Sequence, residues 1–177
     1  MNRDLQARTP HLILGGARSG KSSHAERLVT SLPPPYVYVA TARILDGEMA
    51  DRVRRHQDRR SSNWETIECP LDLTGALKRL QGRGRPVLVD CLTLWLSNLL
   101  LDASAGQPEA RLSGLCKFIP AADYPLFLVS NEVGWGIVPD NPLARRFRDL
   151  SGLANQRIAS VSSAVTLVAA GIPITLK

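Results

Sequence analysis

Eight consecutive residues, Gly15-Gly16-Ala17-Arg18-Ser19-Gly20-Lys21-Ser22, set glycines, a lysine and a hydroxyl in the spacing G-x-x-x-x-G-K-[ST]. Chemistry on phosphates needs those types in that order. Glycines at 15, 16 and 20 let the backbone take positive φ and bring its N–H groups up to an anion, and a following helix adds the positive end of its dipole. Lys21 can then reach the outer phosphates of a nucleotide, and the Ser22 hydroxyl can hold Mg²⁺. The apolar run His11-Leu12-Ile13-Leu14 precedes the motif and a helix-like segment, 21–31, follows it. A chance glycine-rich turn would lack this strand, loop and helix context, so the spacing predicts phosphate binding.

Two further residues could act with this loop. Asp90 follows the apolar residues Pro86-Val87-Leu88-Val89, the setting of a carboxylate at the C-terminal end of a core strand. There it can join Ser22 around magnesium, or cap the helix that opens at Leu92. His56 lies in a basic segment, with Arg52, Arg59 and Arg60 at i−4, i+3 and i+4. On a helix these share one face. Cationic neighbours disfavour the imidazolium, leave a neutral nitrogen free to attack, and grip a triphosphate. The alternative is a surface histidine on a solvated basic helix.

The elements that must position these groups alternate between strand and helix, which predicts a mainly parallel sheet in an α/β three-layer fold of the P-loop NTPase type. The expected strands are 11–14, 36–40, 64–68, 86–90, 125–129, 165–168 and 172–176. The expected helices are 21–31, closed by Pro33-Pro34-Pro35, then 46–60, 71–80, 92–101, a weak segment ending at Phe118, and 142–162. The helix at 92–101 is apolar nearly all round and is expected to be buried. Between residues 130 and 139 lies a dense polar and glycine segment, Ser130-Asn131-Glu132-Val133-Gly134-Trp135-Gly136-Ile137-Val138-Pro139.

A chain of 177 residues, 44% hydrophobic and 21% charged, is long enough for one well-filled core and short for two, so one domain spanning 1–177 is expected, with residues 1–10 a flexible N-terminal segment. Arg3, Asp4 and Arg8 break any apolar run there, which argues against a secretory signal. The apolar stretches at 92–101 and 164–170 fall short of the ~20 residues of a membrane span. A cytoplasmic protein with no membrane span is expected. Cys69, Cys91 and Cys116 form no C-x-x-C pair, which argues against a disulfide framework or zinc knuckle. The net charge of +6 suits a phosphate-rich small substrate as well as a nucleic acid.

Taken in order, the 15–22 motif, Ala40-Thr41-Ala42, residues 46–49 and 52–60, Trp64-Glu65-Thr66-Ile67-Glu68, Val89-Asp90-Cys91-Leu92-Thr93 and Asn131-Glu132-Val133-Gly134 resemble the adenosylcobinamide kinase/adenosylcobinamide-phosphate guanylyltransferase family. Asn141-Pro142-Leu143-Ala144-Arg145, Phe147-Arg148-Asp149, Gly152 and Asn155-Gln156 resemble its C-terminal block, so the likeness covers nearly the whole chain.

The resemblance implies a bifunctional enzyme of cobalamin nucleotide-loop assembly and a homotrimer. Its substrates would be adenosylcobinamide, adenosylcobinamide phosphate, ATP and GTP, with Mg²⁺ as cofactor and no nucleic-acid partner. A histidine-bound GMP falls on His56, which with Lys21 forms the implied catalytic pair. Thr41, Ala42, Arg43, Ile44, Arg59 and Glu68 match positions near the nucleotide and join Gly15, Gly16, Ala17, Arg18, Ser19, Gly20, Lys21, Ser22 and Asp90 in the implied nucleotide site. Glu68 either accepts hydrogen bonds from the guanine edge or pairs with an arginine at a strand end. Glu132 either positions the corrinoid hydroxyl or caps the next loop, and Trp135 either contacts the corrin ring or has an exposed or half-buried packing role. Two other readings stay open: a plain P-loop kinase of a small alcohol, and a nucleotide-dependent nucleic-acid-binding module. The latter lacks an aromatic-interleaved basic stretch.

Overall fold

A computed structural model describes residues 8–43 and 62–177. The basic segment 46–60, and with it Ile44, His56 and Arg59, lies outside the described residues.

Strands β1 (His11–Gly15), β2 (Tyr36–Ala40), β3 (Trp64–Glu68), β4 (Val87–Asp90), β5 (Leu126–Asn131), β6 (Ala164–Ala169) and β7 (Ile172–Thr175) join in one sheet, in the order β3-β2-β4-β5-β1-β6-β7. Every pairing is parallel except the last, where β6 turns back into β7. The inner strands read as unbroken β-branched and leucine runs because both faces are covered: Val87, Leu88 and Val89 are fully buried, as are Leu126 to Val129. Helix α1 (Lys21–Thr30) covers one face, packing Ala25, Leu28 and Val29 on Ile13, Phe127 and Val129.

Helices α2 (Leu73–Lys78), α3 (Leu92–Leu101), α4 (Pro108–Phe118) and α5 (Pro142–Val161) cover the other face. As expected, α3 is buried, with Leu92, Trp95, Leu96 and Leu99 in the core. The Trp95 indole N–H donates to the Leu71 carbonyl at 2.8 Å, which satisfies a polar atom the core would otherwise strand. The helix expected over 71–80 spans only 73–78, because the Asp72 carboxylate accepts from Gly75 N at 3.3 Å and fixes the start. Helix α5 opens where the sequence places it, with Asn141 Oδ1 accepting from Leu143 N and Ala144 N and Pro142 in the first turn.

The order of strands matters more for chemistry than their number. Strand β5 lies between β1, which carries the phosphate loop, and β4, which ends in Asp90. The C-terminal ends of these three strands therefore form one edge, the side at which open α/β sheets gather ligands.

Candidate active site

The phosphate loop runs from the end of β1 into α1. A Cβ on Gly15 would lie 2.6 Å from the Val168 carbonyl oxygen, so the close approach of β1 and β6 admits only glycine. Gly20 has φ 91° and forms the N-cap of α1. The expectation that all three glycines take positive φ is corrected: Gly20 does, Gly15 and Gly16 do not, and Arg18 adopts φ 56° instead. Gly15 is required by contact rather than by dihedral angle. Ser19 N donates to Gly16 O at 3.2 Å, and Gly171 N, from the β6–β7 turn, donates to Ser19 O at 2.8 Å. The loop is thus braced before any phosphate arrives.

Lys21 is buried, and its ammonium donates to Gly16 O at 3.0 Å, curled over the loop it would share with a phosphate. The Ser19 hydroxyl is buried with no hydrogen-bond partner among the described residues. A buried orphan hydroxyl inside a glycine-rich loop fits an anionic oxygen ligand.

Asp90 closes β4 half-buried, and the N-cap of α3 falls on Cys91, which makes no side-chain cap bond. The capping alternative for Asp90 is therefore set aside. The Asp90–Cys91 peptide is cis. Burial first, and then the charge of Asp90, push the Cys91 thiol up to about 11, while Lys21 pulls it the other way. Asp90 and Lys21 thus stand at one edge of the sheet, at the end of β4 and at the start of the helix that follows β1. Ser22, on the first turn of α1, and Asp90 supply the hard oxygen donors that magnesium prefers. Among the described residues no group of three or more His, Cys, Asp or Glu side chains could hold a metal. A cation here would rely on phosphate and water for its remaining ligands, as magnesium does.

Thr41, Ala42 and Arg43 follow β2 at the same edge. The Thr41 hydroxyl is fully buried; it donates to Cys91 O at 2.7 Å and accepts from Cys91 N at 2.9 Å. Its side chain clamps the chain just after Asp90. Asn98 ties the same corner down, donating to Thr41 O at 2.7 Å and to Pro70 O at 3.1 Å. The Arg43 guanidinium is engaged with Asp102 at the end of α3. Hydrogen bonds from Ser104 and then Arg43 hold the Asp102 carboxyl down at about 2.

Glu68 ends β3, exposed and without an ion pair among the described residues. The arginine-paired carboxylate of β3 is Glu65, which accepts from Arg85 at 2.7 Å. Ala40 of β2 is in register with Glu68 on one side and Asp90 on the other, so both carboxylates stand in one row, at the C-terminal ends of β3 and β4.

Sequence reasoning missed a polar chain beside the loop. Thr93 Oγ1 accepts from Asn131 N at 2.7 Å and lies 3.4 Å from Ser130 Oγ, which donates to Asn155 Oδ1 at 2.7 Å. Asn155 Nδ2 donates to Asn131 O at 3.1 Å and to Glu132 Oε1 at 2.8 Å. Glu132 N donates to Gly15 O at 3.1 Å. The only sequence signal for this chain was the likeness of the blocks around Thr93, Asn131 and Asn155 to a family, with no spacing that joins them. Trp135, three residues further, is 75% exposed.

A braced glycine loop at the C-terminal edge of a mainly parallel sheet, with a lysine and a strand-end aspartate on that edge, defines a P-loop protein that binds nucleoside phosphates. Solved structures agree on the fold: the chain is similar to the ATPase EscN of an enteropathogenic E. coli type III secretion system (TM-score 0.54, 11% identity, 93% of this chain and 43% of that one). It is similar also to the flagellar accessory protein FlaH of Methanocaldococcus jannaschii (TM-score 0.51, 15% identity, 94% and 77%).

Within that class the chain belongs to the cobinamide kinase/cobinamide phosphate guanyltransferase family, CobU, whose profile matches residues 11–176. It is 45% identical over 166 residues to the bifunctional adenosylcobalamin biosynthesis protein CobP of Pseudomonas aeruginosa, covering 94% of this chain and 96% of that protein. It is 39% identical to the protein of the same description, CobU, of Salmonella typhimurium, covering 94% and 98%. The chain is thus an enzyme of a phosphotransferase and nucleotidyltransferase family. No helix among the described residues is long and apolar enough to cross a membrane.

Proposed function

We propose that this enzyme phosphorylates the aminopropanol hydroxyl of adenosylcobinamide with ATP or GTP. It then transfers GMP from GTP to the new phosphate, giving adenosyl-GDP-cobinamide and pyrophosphate. The observation that carries this reading is the convergence of Lys21, Asp90 and the braced loop at one sheet edge in a chain that matches the family over residues 11–176.

In the phosphorylation step the loop N–H groups and Lys21 hold the outer phosphates and stabilise charge on the leaving oxygen. Magnesium held by Ser22 and Asp90 would supply further charge neutralisation there. In the guanylyl step the neutral imidazole of His56 attacks the α-phosphorus of GTP, a P–N bond forms, and pyrophosphate leaves with the broken P–O bond. The substrate phosphate then displaces GMP from His56. Arginines 52, 59 and 60 around His56 favour the neutral, nucleophilic form of the ring. Glu68, at the C-terminal end of β3, takes the guanine N1 and N2 donors and so favours GTP in that step.

Incubating the protein with Mg²⁺ and GTP labelled on the α-phosphate tests the covalent route. Acid-labile, base-stable label on wild type and none on His56→Ala is the expected result. Absence of label from folded, GTP-binding wild type would leave a phosphotransferase without guanylyl transfer.

A further inference from the structure

Every charged group at the phosphate edge has been given a task except Glu132. Its backbone is bonded to Gly15, the first residue of the phosphate loop, and one carboxylate oxygen is held by Asn155 from α5. Among the described residues no hydrogen bond or ion pair occupies the second oxygen, and no cation pairs with the group. Asp102 differs in geometry: Ser104 occupies one of its oxygens and Arg43 the other. A carboxylate held through one oxygen by Asn155 is aimed while its other oxygen is left to take a proton.

The amide itself has no freedom to turn. Asn155 Nδ2 faces the Asn131 carbonyl, which can only accept, so Oδ1 must take the Ser130 hydroxyl proton. The buried chain from Thr93 through Ser130 to Asn155 therefore fixes one direction for Glu132. Thr93 stands three residues after Asp90, so the orientation of Glu132 is tied to the strand end that carries Asp90.

Position completes the argument. The loop runs into α1 on one face of the sheet, whereas Glu132 meets α5 on the other. In-line phosphoryl transfer needs the attacking and leaving oxygens on opposite sides of the phosphorus. A nucleotide gripped from the α1 side leaves the α5 side to the incoming hydroxyl. Glu132 also borders a cavity of about 400 Å³ shared with Leu14, Asn155, Gln156 and Val165, which offers room for the arm that bears the hydroxyl.

We propose that Glu132 is the base of the phosphorylation half-reaction and that Asn155 is the positioning residue that aims it. The hydroxyl oxygen bonds to the γ-phosphorus as its proton passes to Glu132 Oε2, the bond from γ-phosphorus to the bridging oxygen breaks, and the nucleoside diphosphate leaves. The carboxylic acid then returns its proton to water. The proposal rests on the phosphorylation activity proposed above.

The experiment separates the two. Full-length wild type, Glu132→Gln and Asn155→Ala are assayed for phosphorylation of adenosylcobinamide and, on the same preparations, for guanylyl transfer to supplied adenosylcobinamide phosphate. Glu132→Gln is expected to lower kcat of phosphorylation by about 10²- to 10⁴-fold, the range of general-base catalysis, with guanylyl transfer reporting an intact nucleotide site. Asn155→Ala is expected to lower the same kcat about 10-fold with the nucleotide KM held. A Glu132→Gln enzyme that phosphorylates at the wild-type rate overturns the proposal, as does an equal fall in both half-reactions. A wild type that does not phosphorylate adenosylcobinamide overturns the functional reading instead.

Discussion

The two edges of the parallel sheet use the same strands for opposite ends. At the N-terminal edge side chains serve the fold: His11 is buried with Nε2 bonded to Thr166 Oγ1 at 2.8 Å and Nδ1 without a partner among the described residues, the Tyr36 hydroxyl donates to Leu32 O, and the Tyr36 ring packs tilted against Trp64 with centroids 4.9 Å apart. At the C-terminal edge, Lys21, Asp90 and Glu132 lie on or next to the strands that frame a loop whose serine hydroxyl lacks a partner among the described residues, and Glu68 ends the outer strand β3. Four residue steps along β1 separate His11 from Gly15, about 13 Å of strand. That short distance divides residues that hold the fold from residues that spend stability on chemistry.

Substitution should pull the two edges apart. Lys21→Met is expected to reduce phosphorylation and guanylyl transfer by at least ~10³-fold, because the transition-state charge loses a buried, preorganised cation. Thermal melting of the same variant should stay near wild type; a large loss of melting temperature with activity retained would reverse the assignment of the C-terminal edge.

His11 gives the mirror image. Burial holds it down at about 4, with His24 adding to the effect, so the native state keeps the ring neutral while the unfolded chain titrates at its ordinary value of 6.5. As pH falls from 6.5 towards 4 the unfolded chain binds a proton that native His11 refuses, and stability drops by up to about 3 kcal/mol across that window. Urea titrations at pH 7 and pH 4.5 should show this loss in wild type and a smaller one in His11→Gln. Equal losses in the two proteins would assign the pH dependence elsewhere. The smallest effect sharpens the comparison from within the C-terminal side: Asp72, just beyond β3, caps α2, and Asp72→Ala should cost about 1 kcal/mol. Its two half-reaction rates should match wild type in the same assays, and a fall in either would extend the site to α2.

What the sequence could disclose follows the same division. The phosphate loop, Asp90 and α3 were legible because their signals are local: a fixed spacing, an apolar run, a helical stretch without a polar face. Strands β2 and β3 begin and end where the residues predict. The chain Thr93–Ser130–Asn155–Glu132 was not legible as a unit, because it is assembled from α3, β5, α5 and the turn after β5. Serine, threonine and asparagine also read equally well as caps and turns. The reversed direction of β7 was likewise hidden, since an apolar run marks a strand and says nothing of its neighbour. Gly15 looked like a residue needed for its dihedral angle and is needed for the nearness of Val168. His56 carries its neighbouring arginines in plain view, and its role stays with the labelling experiment.

The insertion of β5 between β1 and β4 has a consequence for engineering. Two interstrand spacings, about 9.5 Å in all, separate the strand that bears the glycine loop from the strand that ends in Asp90. Backbone ladders set that gauge, and their pitch is the same whatever side chains fill the core. Repacking the interior can therefore make this enzyme sturdier or frailer, yet it leaves the gap between loop and carboxylate unaltered. A change of nucleotide preference has to be sought in the few side chains that project past the last rung.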